Sequence, residues 1–319
     1  MYLFIKKGII VFAIANKIAK AVRIMLDFLI MLFKHLKFES LEYIKILFYQ
    51  YKYARSPEVM LASLRVLTHA LDKGLCMTQR ESGRAQNRFK ICKELIKQLS
   101  TTEVSKDPSY AWAEEKTAAY LKCQNSELHI EGESLKIPNE EERSAILEFI
   151  RTRRSVRSFL DKTIEVDILT KIVDIARWAP NSCCRQSVYF HISTDRQKNR
   201  ICMQHTLGAT CFSEDIPCFV SVCGDMRFYP LVDKGLLCID GALATENLLL
   251  AAHAYGIEGT VLNWRPNMAR GEKALRGILG IPPYHKVIAN IAMGYPGSVP
   301  PTPARKELAS VWNLVKGGI

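Results

Sequence analysis

Residues 239–255 read Ile-Asp-Gly-Ala-Leu-Ala-Thr-Glu-Asn-Leu-Leu-Leu-Ala-Ala-His-Ala-Tyr, a long helical stretch that is apolar nearly all round. A helix without a continuous polar face cannot rest on a solvated surface, so it is expected to be covered on most sides. Just before it, Pro217-Cys218-Phe219-Val220-Ser221-Val222-Cys223 is a continuous apolar run of the kind that forms a buried strand. A chain of 319 residues has room for that core and an appendage. Its 48% hydrophobic and 24% charged residues suit packing around such a core.

The excess charge lies ahead of the core. Of the net +12, the first 122 residues supply +10, with 21 Lys and Arg against 11 Asp and Glu. That surplus suits an anionic partner, a lipid surface or a nucleic acid. Gly8 begins an apolar stretch, but Lys17, Lys20, Arg23 and Asp27 interrupt it before the roughly 20 residues that a spanning helix needs. At about 100° per residue, Asn16, Lys17, Lys20, Arg23, Asp27 and Lys34 share one sector, and Ile14, Ile18, Met25, Leu29, Leu32 and Leu36 the opposite one. Residues 1–55 are therefore expected to form a basic amphipathic helical segment that makes a peripheral membrane contact or covers another helix. A nucleic-acid partner is disfavoured, because no aromatic-interleaved basic platform or recognisable motif is present.

Residues 56–130 read as a helical extension. Ser56 can cap, Pro57 suits a first turn, and Val59, Leu61, Leu64, Leu67, Ala70 and Leu71 form an apolar stripe that Gly74 ends or bends. Further helices are expected over 89–99 and 111–123. Residues 131–146, with Gly132, Pro138 and the acidic run Glu140, Glu141 and Glu142, form a linker.

The unit over 147–319 opens with a helix, 141–152, that runs into Arg153-Arg154-Ser155-Val156-Arg157-Ser158-Phe159. Guanidinium forks and a hydroxyl at such spacing can make a phosphate site; a solvated basic face is the other reading. A helix over 168–178 leads to Ala179-Pro180-Asn181-Ser182-Cys183-Cys184-Arg185-Gln186-Ser187 and a strand over 188–193. After the central helix come Gly256-Ile257-Glu258-Gly259-Thr260-Val261-Leu262-Asn263-Trp264, a closing segment over 275–280 with Ile281-Pro282, and a strand over 287–295 followed by Pro296.

This order of segments resembles the nitroreductase superfamily, whose members open with an Arg-Arg-Ser-x-Arg-x-Phe type motif. They continue through a helix to Ala-Pro-Ser-x-x-Asn-x-Gln-Pro and close with Leu-Gly-Ile-Pro, a strand and Gly-Tyr-Pro. The resemblance implies an α+β fold, a mixed, mainly antiparallel sheet flanked by helices, here behind an all-helical N-terminal extension. It also implies an FMN-dependent oxidoreductase, a homodimer with FMN at its interface and the central helix buried there, passing electrons from NADH or NADPH to an unidentified small-molecule acceptor. By the same resemblance Arg153, Arg154, Ser155 and Arg157 hold the FMN phosphate, ribityl chain and ring edge, and Pro180, Asn181 and Ser182 approach from the other subunit. Leu262 and Asn263 would meet the pyrimidine edge and N5, and Arg305, beside Lys306, would add a late phosphate contact.

Two positions depart from the pattern, Cys184 where Asn is common and Ser187 where Pro is common, so the Asn contact does not carry over. Asp240, Glu246 and His253 are expected as hydrogen-bonded structural groups rather than a triad or metal set. Flavin chemistry of this kind requires no side-chain acid or base, so no catalytic side chain is named. The ten cysteines lack paired Cys-x-x-Cys spacing, which gives no metal site and predicts mostly buried thiols in a cytoplasmic protein. The alternative reading is a membrane-surface scaffold, flavin-binding or flavin-free, without turnover.

Overall fold

The structure, a computed structural model, describes residues 22, 23, 25, 26, 41–77, 83, 85–123, 134–209, 215–264 and 269–315. The chain divides into two compact units, Met1–Ala54 and Arg55–Ile319. In the first, residues 41–53 form helix α1. Val22, Arg23, Met25 and Leu26 are helical and exposed; the remainder of the expected N-terminal amphipathic helix lies outside the described residues.

The second unit begins with three helices, α2 (Pro57–Leu75), α3 (Gln86–Leu99) and α4 (Pro108–Cys123). Ser56 caps α2 by accepting from the Val59 N–H, and Pro57 occupies the first turn, where its missing donor costs nothing. Leu61, Leu64, Leu71 and Leu75 meet Cys92, Leu99, Tyr110, Ala113 and Tyr120 in one core, each large side chain contributing roughly 1.5–3 kcal/mol by burial. That core explains why α2 runs past Gly74: Leu75 is buried in it and holds the last turn. Arg65 ties α2 to the start of α4, donating to Ser109 Oγ at 2.8 Å and to Asp107 Oδ2 at 3.0 Å. Burial pushes the Asp107 carboxyl up, but the bonds from Ser109 and Arg65 outweigh it and hold it below the usual carboxylate range.

Helix α5 (Glu140–Thr152) starts at a capping box, in which Asn139 Oδ1 accepts from Glu142 N and Glu142 Oε2 from Asn139 N. The remaining helices are α6 (Val166–Ala176), α7 (Arg196–Gln204), α8 (Lys234–Ala254) and α9 (Ala269–Leu279). Strands β1 (Ser158–Phe159) and β6 (Pro296–Ser298) pair with each other. Strands β2 (Val188–Ser193), β3 (Cys218–Asp225), β4 (Glu258–Leu262) and β5 (His285–Gly294) form a sheet in the order β2-β3-β5-β4. Every described pairing is antiparallel, and the whole is the α+β architecture expected.

The sheet is covered on both faces. Cys218, Val220 and Val222 of β3 pack with α6 and α8, while Phe219 and Cys223 pack with α7 and α9. This two-sided burial is why β3 reads as an unbroken apolar run. Helix α8 lies close against β5 because Gly241 has no Cβ: one there would sit 2.3 Å from Ile288 Cδ1. The helix starts at Lys234, earlier than the apolar pattern indicated, because the short turn Leu231–Asp233 after Pro230 already winds the chain into it.

Within one chain α8 is covered on one side only. Asp240, Gly241, Ala244, Thr245, Leu248 and Leu249 are buried, whereas Cys238, Ile239, Ala242, Leu243 and Glu246 are exposed, Ile239 at 54%. The cysteines also depart from expectation. Cys92, Cys202, Cys218 and Cys223 are buried, but Cys76, Cys183 and Cys238 are exposed, and Cys123 and Cys184 lie between. Burial alone pushes the Cys218 thiol up to about 12.

Candidate functional site

The arginine-rich motif leaves the end of α5 and is fastened beside β4. Val156 is fully buried, and its carbonyl accepts from Thr260 Oγ1 at 2.6 Å. Ser158 and Phe159 then pair with β6. The Arg154 guanidinium donates to the carbonyls of Arg151 and Arg153 and to Thr302 Oγ1 at 2.6 Å. Beneath it, Glu258 Oε1 meets His253 Nδ1 at 2.5 Å, and His253 Nε2 lies 3.2 Å from Thr152 Oγ1. These bonds tie the motif to the C-terminal end of α8.

Arg153 and Ser155 are half-buried, and their side chains make no hydrogen bond among the described residues; Arg157 is exposed and makes a single 3.5 Å contact with the Ser155 carbonyl. Two guanidiniums and a hydroxyl thus keep donors that meet no acceptor among the described residues. This donor set fits a phosphate-bearing ligand. The Leu262 side chain is buried in the core, which leaves only its backbone for a ligand. Asn263 exposes its side chain while its carbonyl accepts from Leu207 N. Arg305 lies in an exposed tail and, among the described residues, donates to the carbonyls of Pro303 and Ala304. The tail meets the motif through Thr302, not through Arg305.

The second motif is fastened elsewhere. Asp240, 2% exposed near the start of α8, accepts from Ser182 N at 2.9 Å, from Ser182 Oγ at 2.8 Å and from the Tyr229 hydroxyl. Ser187 Oγ lies 2.6 Å from the same hydroxyl, which gives the serine at that position a structural role. Burial, followed by the Asp240 contact, pushes the Tyr229 phenol up. Asn181 Oδ1 accepts from Gln186 N at 3.0 Å. Arg185 is buried, donates to Asp233 Oδ2 at 2.7 Å and to the Phe228 carbonyl, and stacks over Tyr229. These anchors hold Cys183, Cys184 and Gln186 at φ of 53°, 55° and 53°, left-handed conformations that cost side-chain-bearing residues about 1–3 kcal/mol each. Pro180 is exposed beside them.

The chain by itself does not bring the two motifs together. The first adjoins β4 and the second precedes β2, opposite edges of a four-stranded sheet, so three strand spacings, about 14 Å, lie between them. Along α8 the first is tied to His253 and the second to Asp240, a rise of about 20 Å over that stretch of helix. Tyr229, Arg185, Asp233, Glu258 and Thr302 escaped sequence reasoning. Each has a partner 42 to 148 positions away, Ser187 for Tyr229, Arg185 and Asp233 for one another, and Arg154 for Glu258 and Thr302, and no local spacing signals such a contact. Asp240 and His253 are hydrogen-bonded structural groups as expected, while Glu246 is exposed. Among the described residues, no three His, Cys, Asp or Glu are grouped to hold a metal ion.

The Nitroreductase family model matches residues 150–214, which include both motifs. A protein of Archaeoglobus fulgidus, provisionally named an NADH dehydrogenase/NAD(P)H nitroreductase, is 34% identical over 155 residues, 47% of this chain and 84% of that one. A Methanothermobacter thermautotrophicus protein of the same provisional name is 29% identical over 176 residues, covering 55% and 86%. A solved structure from Parabacteroides distasonis, again so named, superposes with a TM-score of 0.47 at 26% identity, covering 54% of this chain and 99% of that one.

Proposed function

Because the chain belongs to the nitroreductase family, we propose that residues 147–319 bind FMN in a homodimer and pass electrons from NADH or NADPH to a small-molecule acceptor. The observation that carries this reading is the separation of the two motifs within one chain, together with the exposed apolar stripe of α8, Cys238, Ile239, Ala242 and Leu243. Two copies joined through that stripe about a two-fold axis bury it. If the two α8 helices run antiparallel, the second motif of one chain approaches the first motif of the other.

In this reading Arg153, Ser155 and Arg157 hold the phosphate and ribityl chain, and Arg154, already committed to Arg151, Arg153 and Thr302, positions the loop. Backbone groups at Leu262 and Asn263 face the ring, and Arg305 joins the site only if the tail moves or belongs to the other copy. The Ser182 hydroxyl donates to Asp240, so its part is to fix the loop that carries Pro180 and Asn181. FMN, when bound, supplies two-electron acceptance from a nicotinamide. The cationic donors of the first motif favour the negative charge that the bound group carries. The names given to the Archaeoglobus fulgidus and Methanothermobacter thermautotrophicus relatives support NADH or NADPH as donor.

The test is the absorption spectrum of the purified chain in added FMN, then anaerobic titration with NADH and NADPH. Retained flavin bands that bleach are expected. A protein that takes up no FMN sinks the reading, and one that binds it without bleaching favours a flavin-binding scaffold instead.

A further inference from the structure

Helix α1 turns an apolar face outward. Ile46 is 3% exposed and marks its covered side. On the opposite side Leu47, Tyr51, Ile44, Phe48 and Leu41 succeed one another around the helix at about 100° per residue. All five are exposed, Ile44 at 61% and Tyr51 at 89%. Lys52 and Lys45, both exposed, run along one margin of this stripe, and the Lys52 ammonium lies 5.7 Å from the Phe48 ring centroid.

The surrounding charge indicates what covers such a face. Residues 1–54 carry nine Lys and Arg against three Asp and Glu, a net +6. Protein interfaces deplete lysine, whereas at a lipid surface a lysine stem lies along the apolar boundary while its ammonium reaches the phosphates. Aromatic rings beside it suit the same depth, apolar in body and, for Tyr51, polar at the tip. We propose that α1 docks lengthwise on an anionic lipid surface. Leu41, Ile44, Leu47, Phe48 and Tyr51 then face the acyl chains, and Lys45 and Lys52 the headgroup phosphates. This assignment is independent of flavin binding.

The experiment is flotation of the full chain with phosphatidylcholine vesicles, with and without phosphatidylserine, at low and high salt. Binding is expected to vesicles containing phosphatidylserine, to weaken in high salt and to be slight on phosphatidylcholine alone. Lys45→Glu and Lys52→Glu should each weaken it by about fivefold or more. The double variant Ile44→Ser/Phe48→Ser should lose more than about tenfold with an unchanged far-UV spectrum. As a readout that keeps the helix intact, Phe48→Trp should add emission that shifts to the blue with anionic vesicles. Equal binding to both vesicle types, parent-level binding by the double variant, or no blue shift overturns the proposal. So does a drop in sedimentation mass caused by the double variant, which would assign the stripe to a protein contact.

Discussion

Replacing Asp240 by alanine tests how the second motif is held. The carboxylate accepts three hydrogen bonds, two from Ser182 and one from Tyr229. Bonds to a charged group are worth about 1.5–3 kcal/mol each, so their plain sum exceeds what the variant should lose. Ser182 is half-buried and water can replace part of its loss, and Tyr229 keeps Ser187 as a partner. The expected cost is therefore about 3–4 kcal/mol, and the left-handed residues at 183, 184 and 186 should relax once the anchor is gone. Asp240→Asn differs. Its amide oxygen can take the Ser182 N–H and the Tyr229 hydroxyl while its nitrogen donates to Ser182 Oγ, which turns to accept. All three bonds survive without the charge, and the cost should be about 1–2 kcal/mol. Urea unfolding at neutral pH, followed by circular dichroism, measures both. If the two variants cost the same, or if Asp240→Ala costs under about 1 kcal/mol, the carboxylate is not the anchor described.

Acid should weaken the fold through His285. Burial first, then His191, Arg227 and Arg276, lowers its pKa from 6.5 to about 3, so below pH 6.5 the unfolded chain takes a proton that the folded chain refuses. Stability from this group is full above pH 6.5 and falls as pH drops toward 3, by at most about 4–5 kcal/mol. Asp225, whose carboxyl burial raises, works in the opposite sense. Thermal unfolding of His285→Gln should be flatter than the parent between pH 6.5 and 4, and an equal slope would remove His285 as the cause. Gly241→Ala sets a helix-propensity gain of about 1 kcal/mol against an overpacking cost of about 1–3 kcal/mol from the clash with Ile288. A net loss is expected that Ile288→Val, which deletes the clashing methyl, recovers; additive effects in the double-mutant cycle would count against the contact. Arg65→Met keeps the packed stem of the side chain and should cost less in urea than Arg65→Ala, for which about 2–4 kcal/mol is expected. Arg153→Gln and Arg157→Gln should each weaken FMN retention at least tenfold with unchanged unfolding midpoints, and unaltered retention would place the phosphate elsewhere.

The sequence by itself determined what is local. The two-sided apolar run of β3, the period of α2 and the cap at Ser56 act through neighbours a few residues away, so pattern alone reveals them; the acidic run 140–142, read as linker, instead opens α5. The arginine motif was legible because its donors are consecutive, and the order of the motifs along the chain carried the family. Only the tertiary structure showed which side of α8 its own chain covers, because hydrophobicity records that a face must be buried and not what buries it. Only it showed the Ser182 hydroxyl bound to Asp240, Ser187 serving Tyr229, Thr302 rather than Arg305 meeting the arginine motif, and the two motifs at opposite edges of one sheet. Those facts rest on contacts between residues 42 to 148 positions apart, and hydrogen bonds across such separations exist only once the sheet has set its register.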